Sequence, residues 1–204
     1  MTSASSVSRP ALVLATGNPG KVRELIALLA GIPFEIRTLT DYPSFVMPEE
    51  SGETYDANEL IKARATAAHT GALALGDDSG IEVEALQGAP GIRSARFGGP
   101  GLDDKGRVAH LLSLIDHVPD DARAARFVCV MALVTPDGRE TLVRGVCEGR
   151  ITRAPRGAGG FGYDPVFFYP PLGATFGELS DEAKARVSHR GLAAAAAKAA
   201  LGAG

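Results

Sequence analysis

The chain has only two cysteines, Cys129 and Cys147, among 204 residues. That is too few for a disulfide framework, and they show no metal-ligand spacing, so both read as reduced thiols. Also missing is any stretch near the roughly 18 apolar residues of a membrane helix, and residues 1–10 lack the apolar core of a signal peptide. A cytoplasmic protein without a membrane partner is expected. Nor is there an excess of positive charge: 21 Lys and Arg stand against 24 Asp and Glu, a formal charge of -3. This excludes a broad cationic face for nucleic acid but not a locally basic cleft, so recognition must come from placed residues. No internal repeat or linker is visible, and the length suits a single domain over 11–204 behind a disordered leader, 1–10.

What is abundant is glycine, 25 residues with many in clusters, as expected of tight loops that hug a ligand. Residues 11–15 are a short apolar run of the kind buried in a sheet, and the run ends in Thr16-Gly17-Asn18-Pro19-Gly20-Lys21. Asn18 is placed to N-cap a helix with Pro19 in its first turn, and Val22, Leu25, Ile26, Leu28 and Leu29 form a stripe closed by Gly31. A strand at 34–39, an acidic stretch with Glu49, Glu50 and Glu53, and a helix over 54–70 follow. Strands are expected at 72–76 and 81–86, with Asp77-Asp78-Ser79-Gly80 as the turn between them. Beyond a Gly/Pro-rich loop come a helix capped by Asp103 or Asp104, a hairpin around Pro136-Asp137-Gly138 and a glycine-dense loop at 155–165. Two short helices over 180–200, interrupted near Ser188-His189-Arg190-Gly191, complete an α/β pattern.

The loop 16–21 leads from a buried strand to a helix N-terminus, where free N–H groups and the helix dipole favour an anion and Lys21 adds full charge. It is either a phosphate site or simply a capped helix with a surface lysine. It is not a Walker loop: the spacing is too short, and Val22 stands where a Mg-binding Ser or Thr is needed. Adjacent Asp77 and Asp78 repel unless one turns away or a cation neutralises them; with Glu49 and Glu50 upstream they form a Mg2+ site or a solvated turn. In the stretch 157–164, Phe161 and Tyr163 either stack on a nucleobase or fold into the core. Lys184, His189 and Arg190 are donors for phosphate or base oxygens. Lys62 and Arg64, with Glu59 at helical spacing, read by default as a solvated helix face from which Lys62 can still reach substrate. Arg93 and Arg96 are surface charges or parts of the cleft or of a subunit contact, without a catalytic role.

Six segments together resemble the inosine triphosphate pyrophosphatase family, specifically its bacterial dITP/XTP pyrophosphatase branch. They are Leu-Ala-Thr-Gly-Asn-Pro-Gly-Lys-Val-Arg-Glu-Leu from Leu14, Glu-Glu-Ser-Gly-Glu-Thr from Glu49, Gly-Asp-Asp-Ser-Gly from Gly76, Gly-Ala-Pro-Gly-Ile-Arg-Ser-Ala-Arg from Gly88, Gly-Gly-Phe-Gly-Tyr-Asp-Pro from Gly159 and Ser-His-Arg-Gly from Ser188. Any one is weak; in family order over nearly the whole chain after residue 10 they are specific. The resemblance implies an elongated α/β fold, a mixed sheet flanked by helices in two lobes with a nucleotide cleft between them, assembled as a homodimer. It implies Mg2+-dependent hydrolysis of deaminated purine triphosphates (ITP, dITP, XTP) to monophosphate and pyrophosphate. By position, Thr16, Gly17, Asn18, Pro19, Gly20 and Lys21 would hold the triphosphate, Asp78 would be metal-linked and the proton acceptor for water, Ser79 would touch substrate, and Glu50 would be the second metal carboxylate, with Glu49 adjacent. Phe161, Gly162, Tyr163, Asp164, Lys184, His189 and Arg190 would build the base pocket, Phe161 stacking on the purine.

Overall fold

In the computed structural model of the chain, which describes residues 9–202, the first apolar run is strand β1, Ala11–Leu14. Its Leu12, Val13 and Leu14 are fully buried. Six further strands extend the sheet: β2 (Glu35–Thr38), β3 (Leu73–Val83), β4 (Ala124–Val134), β5 (Glu140–Ile151), β6 (Phe167–Tyr169) and β7 (Ala174–Thr175). Among the described residues the order is β2-β1-β3-β4-β5-β6-β7. β1 is parallel to β2 and β3, and every later pairing is antiparallel, so the sheet is mixed as expected. Of the expected leader, residues 1–8 lie outside the described residues; Arg9 and Pro10 are exposed, yet the Pro10 carbonyl already accepts the Glu35 N–H at 2.9 Å.

The helices start where short-range chemistry places them. Helix α1 (Pro19–Leu28) is capped by Asn18, whose Oδ1 accepts the N–H groups of Gly20 at 2.8 Å and Lys21 at 3.1 Å. Helix α2 (Tyr55–Thr70) is capped by Thr54 and stopped by Gly71 at φ 63°. Helix α3 (Asp104–Leu114) takes Asp103 as its cap, and Ser188, with ψ 156°, separates α4 (Asp181–Val187) from α5 (His189–Gly202). The expected hairpin is β4 and β5.

Side chains alternate across a strand, and the two faces of β3 and β4 receive different helices. Ala74, Ala132 and Val134 pack with Ala63 and Ala67 of α2, whereas Leu75, Met131 and Leu133 pack with Ala193, Ala194 and Ala197 of α5. A separate apolar cluster joins Ile81, Leu111, Phe127, Phe167 and Phe176.

The turn expected at 77–80 is not there. β3 is continuous, and residues 74–83 pair one by one with β4 from Val134 back to Ala125. Turn-forming residues are held extended because tertiary partners outweigh local preference: Asp77 finds buried counter-ions in Arg190 and Lys21, and Gly80 lies so close to the Gly91 carbonyl, Ser94 Oγ and Tyr55 Oη that a side chain would not fit.

The other edge of β3 shapes the molecule's main cleft. β1 covers only Leu73, Ala74 and Leu75, and the last bond on that side is from Ala15 N–H to the Leu75 carbonyl at 2.8 Å. Farther along, Ile81 N–H donates to Ser94 Oγ at 2.9 Å and Val83 N–H to the Ala89 carbonyl at 3.1 Å. Between these two covers, residues 76–80 form a strand edge whose backbone groups are open to side chains and ligands.

Candidate active site

A cleft of about 490 Å³ lies at this gap. Its walls come from Thr16, Gly17, Asn18 and Lys21 of the first loop, Asp78, Ser79 and Gly80 of β3, Glu50 and Lys62, and Phe161, Gly162, Tyr163, Asp164, Lys184, His189 and Arg190 from the C-terminal half. Most of the predicted site residues therefore converge. Pro19 is exposed and lines no part of this cleft. Gly20 is buried beneath Phe161, where an added Cβ would come within 2.8 Å of the ring. Of the two upstream glutamates, Glu50 faces the cleft and Glu49 is exposed away from it.

Adjacent on one strand, Asp77 and Asp78 point to opposite faces, which lessens the repulsion that made the pair costly in the sequence. Asp77 is fully buried. It accepts from Arg190 Nε at 2.6 Å and pairs with Lys21 Nζ at 2.9 Å. Burial acts to raise its pKa, but Arg190 and Lys21 override it and hold the carboxylate well below its usual range. Ser79, two residues on and so on the same face, accepts from Arg190 Nη2 at 2.7 Å. Asp78 has no counter-ion at that distance. One of its oxygens accepts its neighbour Ser79 N–H at 3.0 Å, while the other, Oδ2, is buried without a hydrogen-bond partner among the described residues. Burial raises the Asp78 pKa, Glu50 and Asp77 push the same way, and Lys62 and Lys21 only partly offset them.

The cations near the open edge are tightly placed. Lys21 donates to the Asp77 carbonyl at 2.8 Å. Lys62, which the helical pattern left on a solvated face, is 6% exposed. Its Nζ meets Glu50 at 2.9 Å, Glu59 at 3.2 Å and the Asp77 carbonyl at 3.5 Å. Arg64, beside it in sequence, does lie on the surface, where it pairs with Glu140. Arg96 reaches Glu50 at 3.1 Å and lines the cleft, whereas Arg93 is exposed outside it.

The far end is a buried relay of charges. Lys184 donates to Asp164 at 2.5 Å and to Glu24 at 2.6 Å, and Glu24 also accepts from Arg190 at 2.6 Å. Asp164 additionally accepts Phe161 N–H at 2.8 Å, so it shapes the glycine loop and anchors Lys184. The Phe161 ring has Lys184 Nζ at 5.1 Å and Arg190 Cζ at 5.5 Å from its centroid. Tyr163 takes the structural alternative for its side chain: it is buried, and its hydroxyl donates to the Ser94 carbonyl at 2.9 Å. His189 is stacked on Phe127 at 4.5 Å. Burial and the neighbouring Arg190 hold His189 well below the usual histidine range, so it is neutral.

Glu24 escaped the sequence reading, as did the burial of Lys62. Glu24 lies one helical turn after Lys21, which was a usable hint; its partners, 160 and 166 residues away, were not. No local pattern distinguished Lys62 from Arg64.

The orphaned Asp78 Oδ2, with Glu50 on the same cleft, fits a divalent cation as a donor set. Among the described residues no cluster of three or more His, Cys, Asp or Glu could hold a metal ion alone. Two carboxylates suit Mg2+, which completes its shell with water and substrate phosphates.

A model described as the Ham1 family matches residues 12–200. The dITP/XTP pyrophosphatase of Desulforamulus reducens is 51% identical over 182 residues, 89% of this chain and 90% of that one. The dITP/XTP pyrophosphatase of Geobacter sulfurreducens is 49% identical over 191 residues, 94% of this chain and 96% of that one. A solved HAM1 protein from Coxiella burnetii superposes with a TM-score of 0.87 at 38% identity, covering 96% of this chain and all of the other.

Proposed function

The chain belongs to the Ham1 family, and from that premise we propose that it is a nucleoside-triphosphate pyrophosphatase. Its substrates are the deaminated purine nucleotides ITP, dITP and XTP, which it hydrolyses to the monophosphate and pyrophosphate with Mg2+ as cofactor, clearing altered nucleotides from the pool. The relatives that carry a dITP/XTP pyrophosphatase name support it. The observation that carries it is the division of one cleft into a cationic end at Lys21 and Lys62, a buried carboxylate oxygen without a partner on Asp78, and an aromatic and cationic end at Phe161, Lys184 and Arg190.

In this reading the triphosphate lies along the open edge of β3, with loop 16–21 and Lys62 on its oxygens. Glu50 and Asp78 would hold the Mg2+, whose positive charge would offset the negative charge of the phosphates. Asp78 takes the proton of the water that attacks the α-phosphorus, and the leaving group is pyrophosphate. Before any cation binds, the burial of Asp78 raises its pKa, which favours it as a base over an exposed aspartate. Ser79 is held at the cleft by Arg190. At the other end the purine stacks on Phe161. The N–H donors of Lys184 and Arg190 favour a 6-keto oxygen, an acceptor, over the amino group of adenine, a donor. Neutral His189 offers a ring nitrogen to the same pocket, and the backbone of 162–164 frames it. Two of the apolar clusters, the one around Phe127 and the one between α5 and the sheet, are read as the cores of two lobes on either side of the cleft, and the protein as a cytoplasmic homodimer.

The test is incubation with ITP, XTP, ATP and GTP, with and without Mg2+, followed by product identification. Pyrophosphate and monophosphate from ITP and XTP are expected; orthophosphate would redirect the chemistry to the terminal phosphate, and equal turnover of ATP would sink the base assignment.

A further inference from the structure

Behind the cleft floor sits a carboxyl group that the chemistry above does not use. Glu59, on the inner face of α2, is completely buried, and among the described residues neither of its oxygens has a hydrogen-bond partner. Its place exists because residue 76 has no side chain: a Cβ on Gly76 would collide with Glu59 Oε1 and lie 2.9 Å from Cδ. Gly76 is not at positive φ, so the glycine answers a demand for space rather than for backbone conformation. The nearest charge is the Lys62 ammonium, 3.2 Å from Oε2. Leaving a buried carboxyl so poorly bonded costs stability, and an apolar side chain at position 59 would avoid that cost.

We propose that Glu59 is a positioning residue for Lys62, and that Glu59 and Gly76 form an interlocked pair serving that purpose. Around the ammonium stand three acceptors: Glu50 on the cleft side, the Asp77 carbonyl on the strand edge and Glu59 from behind. One hydrogen bond to the carbonyl and an ion-pair contact with each carboxyl group confine a flexible four-carbon side chain to one place. Glu50 is half-buried and shared with Arg96, so Glu59 is the more rigid of the two carboxyl tethers. Burial pushes its pKa up to about 8 even with Lys62 beside it, in keeping with a group enclosed by protein. Without it, Lys62 keeps its charge but not its location, and charge misplaced by about 1 Å is enough to cost a large factor in rate.

The kinetic arm rests on the pyrophosphatase reading, so a binding arm stands beside it. The full chain is compared with Glu59→Ala, Glu59→Gln, Gly76→Ala and the Glu59→Ala/Gly76→Ala double variant, measuring kcat and KM for ITP, melting temperature, and calorimetric binding of inorganic tripolyphosphate without metal. Glu59→Ala should lower kcat for ITP about tenfold or more and raise KM as well, because the same ammonium lies on the triphosphate. Glu59→Gln, which keeps an acceptor of the same size, should retain most of kcat. Gly76→Ala should lose both stability and kcat by displacing Glu59. In the double variant the new methyl enters the vacated space, so melting temperature recovers while kcat does not. Recovery of both together would mean that Glu59 only fills space, and an unchanged kcat in Glu59→Ala would overturn the proposal directly. Absence of ITP turnover in the wild type would instead sink the pyrophosphatase reading; Glu59 is then judged by tripolyphosphate, whose Kd should weaken about tenfold in Glu59→Ala. An unchanged Kd there, or no binding by the wild type, overturns it.

Discussion

On the α5 face of β3, Asp77 is saturated by Arg190 and Lys21 and lies well below its usual pKa, whereas on the α2 face Asp78 keeps one buried oxygen unpartnered and is pushed upward. The two residues share a strand, a chemistry and nearly a position. What separates them is where the cations fall. Arg190 approaches from α5 with a planar fork suited to two oxygens, while Lys62, on the α2 side, is paired with Glu50 and Glu59 and donates to a backbone carbonyl. A paired carboxylate is a structural anion; an unpaired one beside a cleft is available for a proton or a cation. On this view Asp77 holds the architecture that Asp78 uses.

The contrast can be broken most decisively by removing each charge in turn. Asp78→Asn is expected to reduce pyrophosphate release from ITP by about 10²- to 10⁴-fold, with a melting temperature equal to or above that of the parent, because an unfavourable buried charge is lost. Residual activity within a few-fold of the parent would remove Asp78 from its role as base. Asp77→Asn should do the reverse in kind. It leaves the Arg190 and Lys21 charges without their buried anion, at a cost of about 3–5 kcal/mol, so thermal melting should shift down by roughly 10 °C. A melting temperature unmoved by that change would show that Glu24 alone can neutralise Arg190.

A smaller effect is expected at Lys21, which touches both Asp77 and the cleft. Lys21→Ala should raise KM for ITP by about tenfold, the equivalent of roughly 1.4 kcal/mol, with a lesser change in kcat; steady-state kinetics showing an unchanged KM would restrict Lys21 to its structural pairing. The subtlest test compares pH limbs. Asp77 has a folded pKa below its reference value of 3.8, so its contribution to stability is complete above 3.8 and disappears as pH falls through the lower folded value. Asp78 has a folded pKa raised above 3.8, and the proton acceptor must be ionised, so kcat/KM should fall on an acid limb above 3.8. Activity should therefore be lost at a higher pH than the stability that Asp77 provides. Superimposable pH profiles for kcat/KM and for melting temperature would erase the distinction between the two carboxylates.

How much of this was legible in the sequence depends on the distance over which each feature is decided. The caps at Asn18 and Asp103 involve partners within three residues, and the β4–β5 hairpin turns on Pro136, Asp137 and Gly138; the first and the last were readable, and the second was narrowed to Asp103 or Asp104. The turn reading of 77–80 failed because Asp, Ser and Gly favour turns locally, and nothing nearby announces that β4 and a counter-ion 113 residues away hold them extended. Lys62 and Arg64 are two positions apart on one helix and look alike in the sequence, yet one is buried in the cleft wall and the other pairs on the surface.

The sequence by itself determined the strand, loop and helix that open the chain, the α/β class and the set of residue types at the cleft, because capping, turn chemistry and hydrophobic period act over a few residues. Only the tertiary structure decided which carboxylate is neutralised and which is left free, that Lys62 faces inward, and that Glu59 occupies the space Gly76 leaves. Those outcomes depend on burial and on charges brought together from distant segments, and electrostatic interactions gain their strength only once water has been excluded around them.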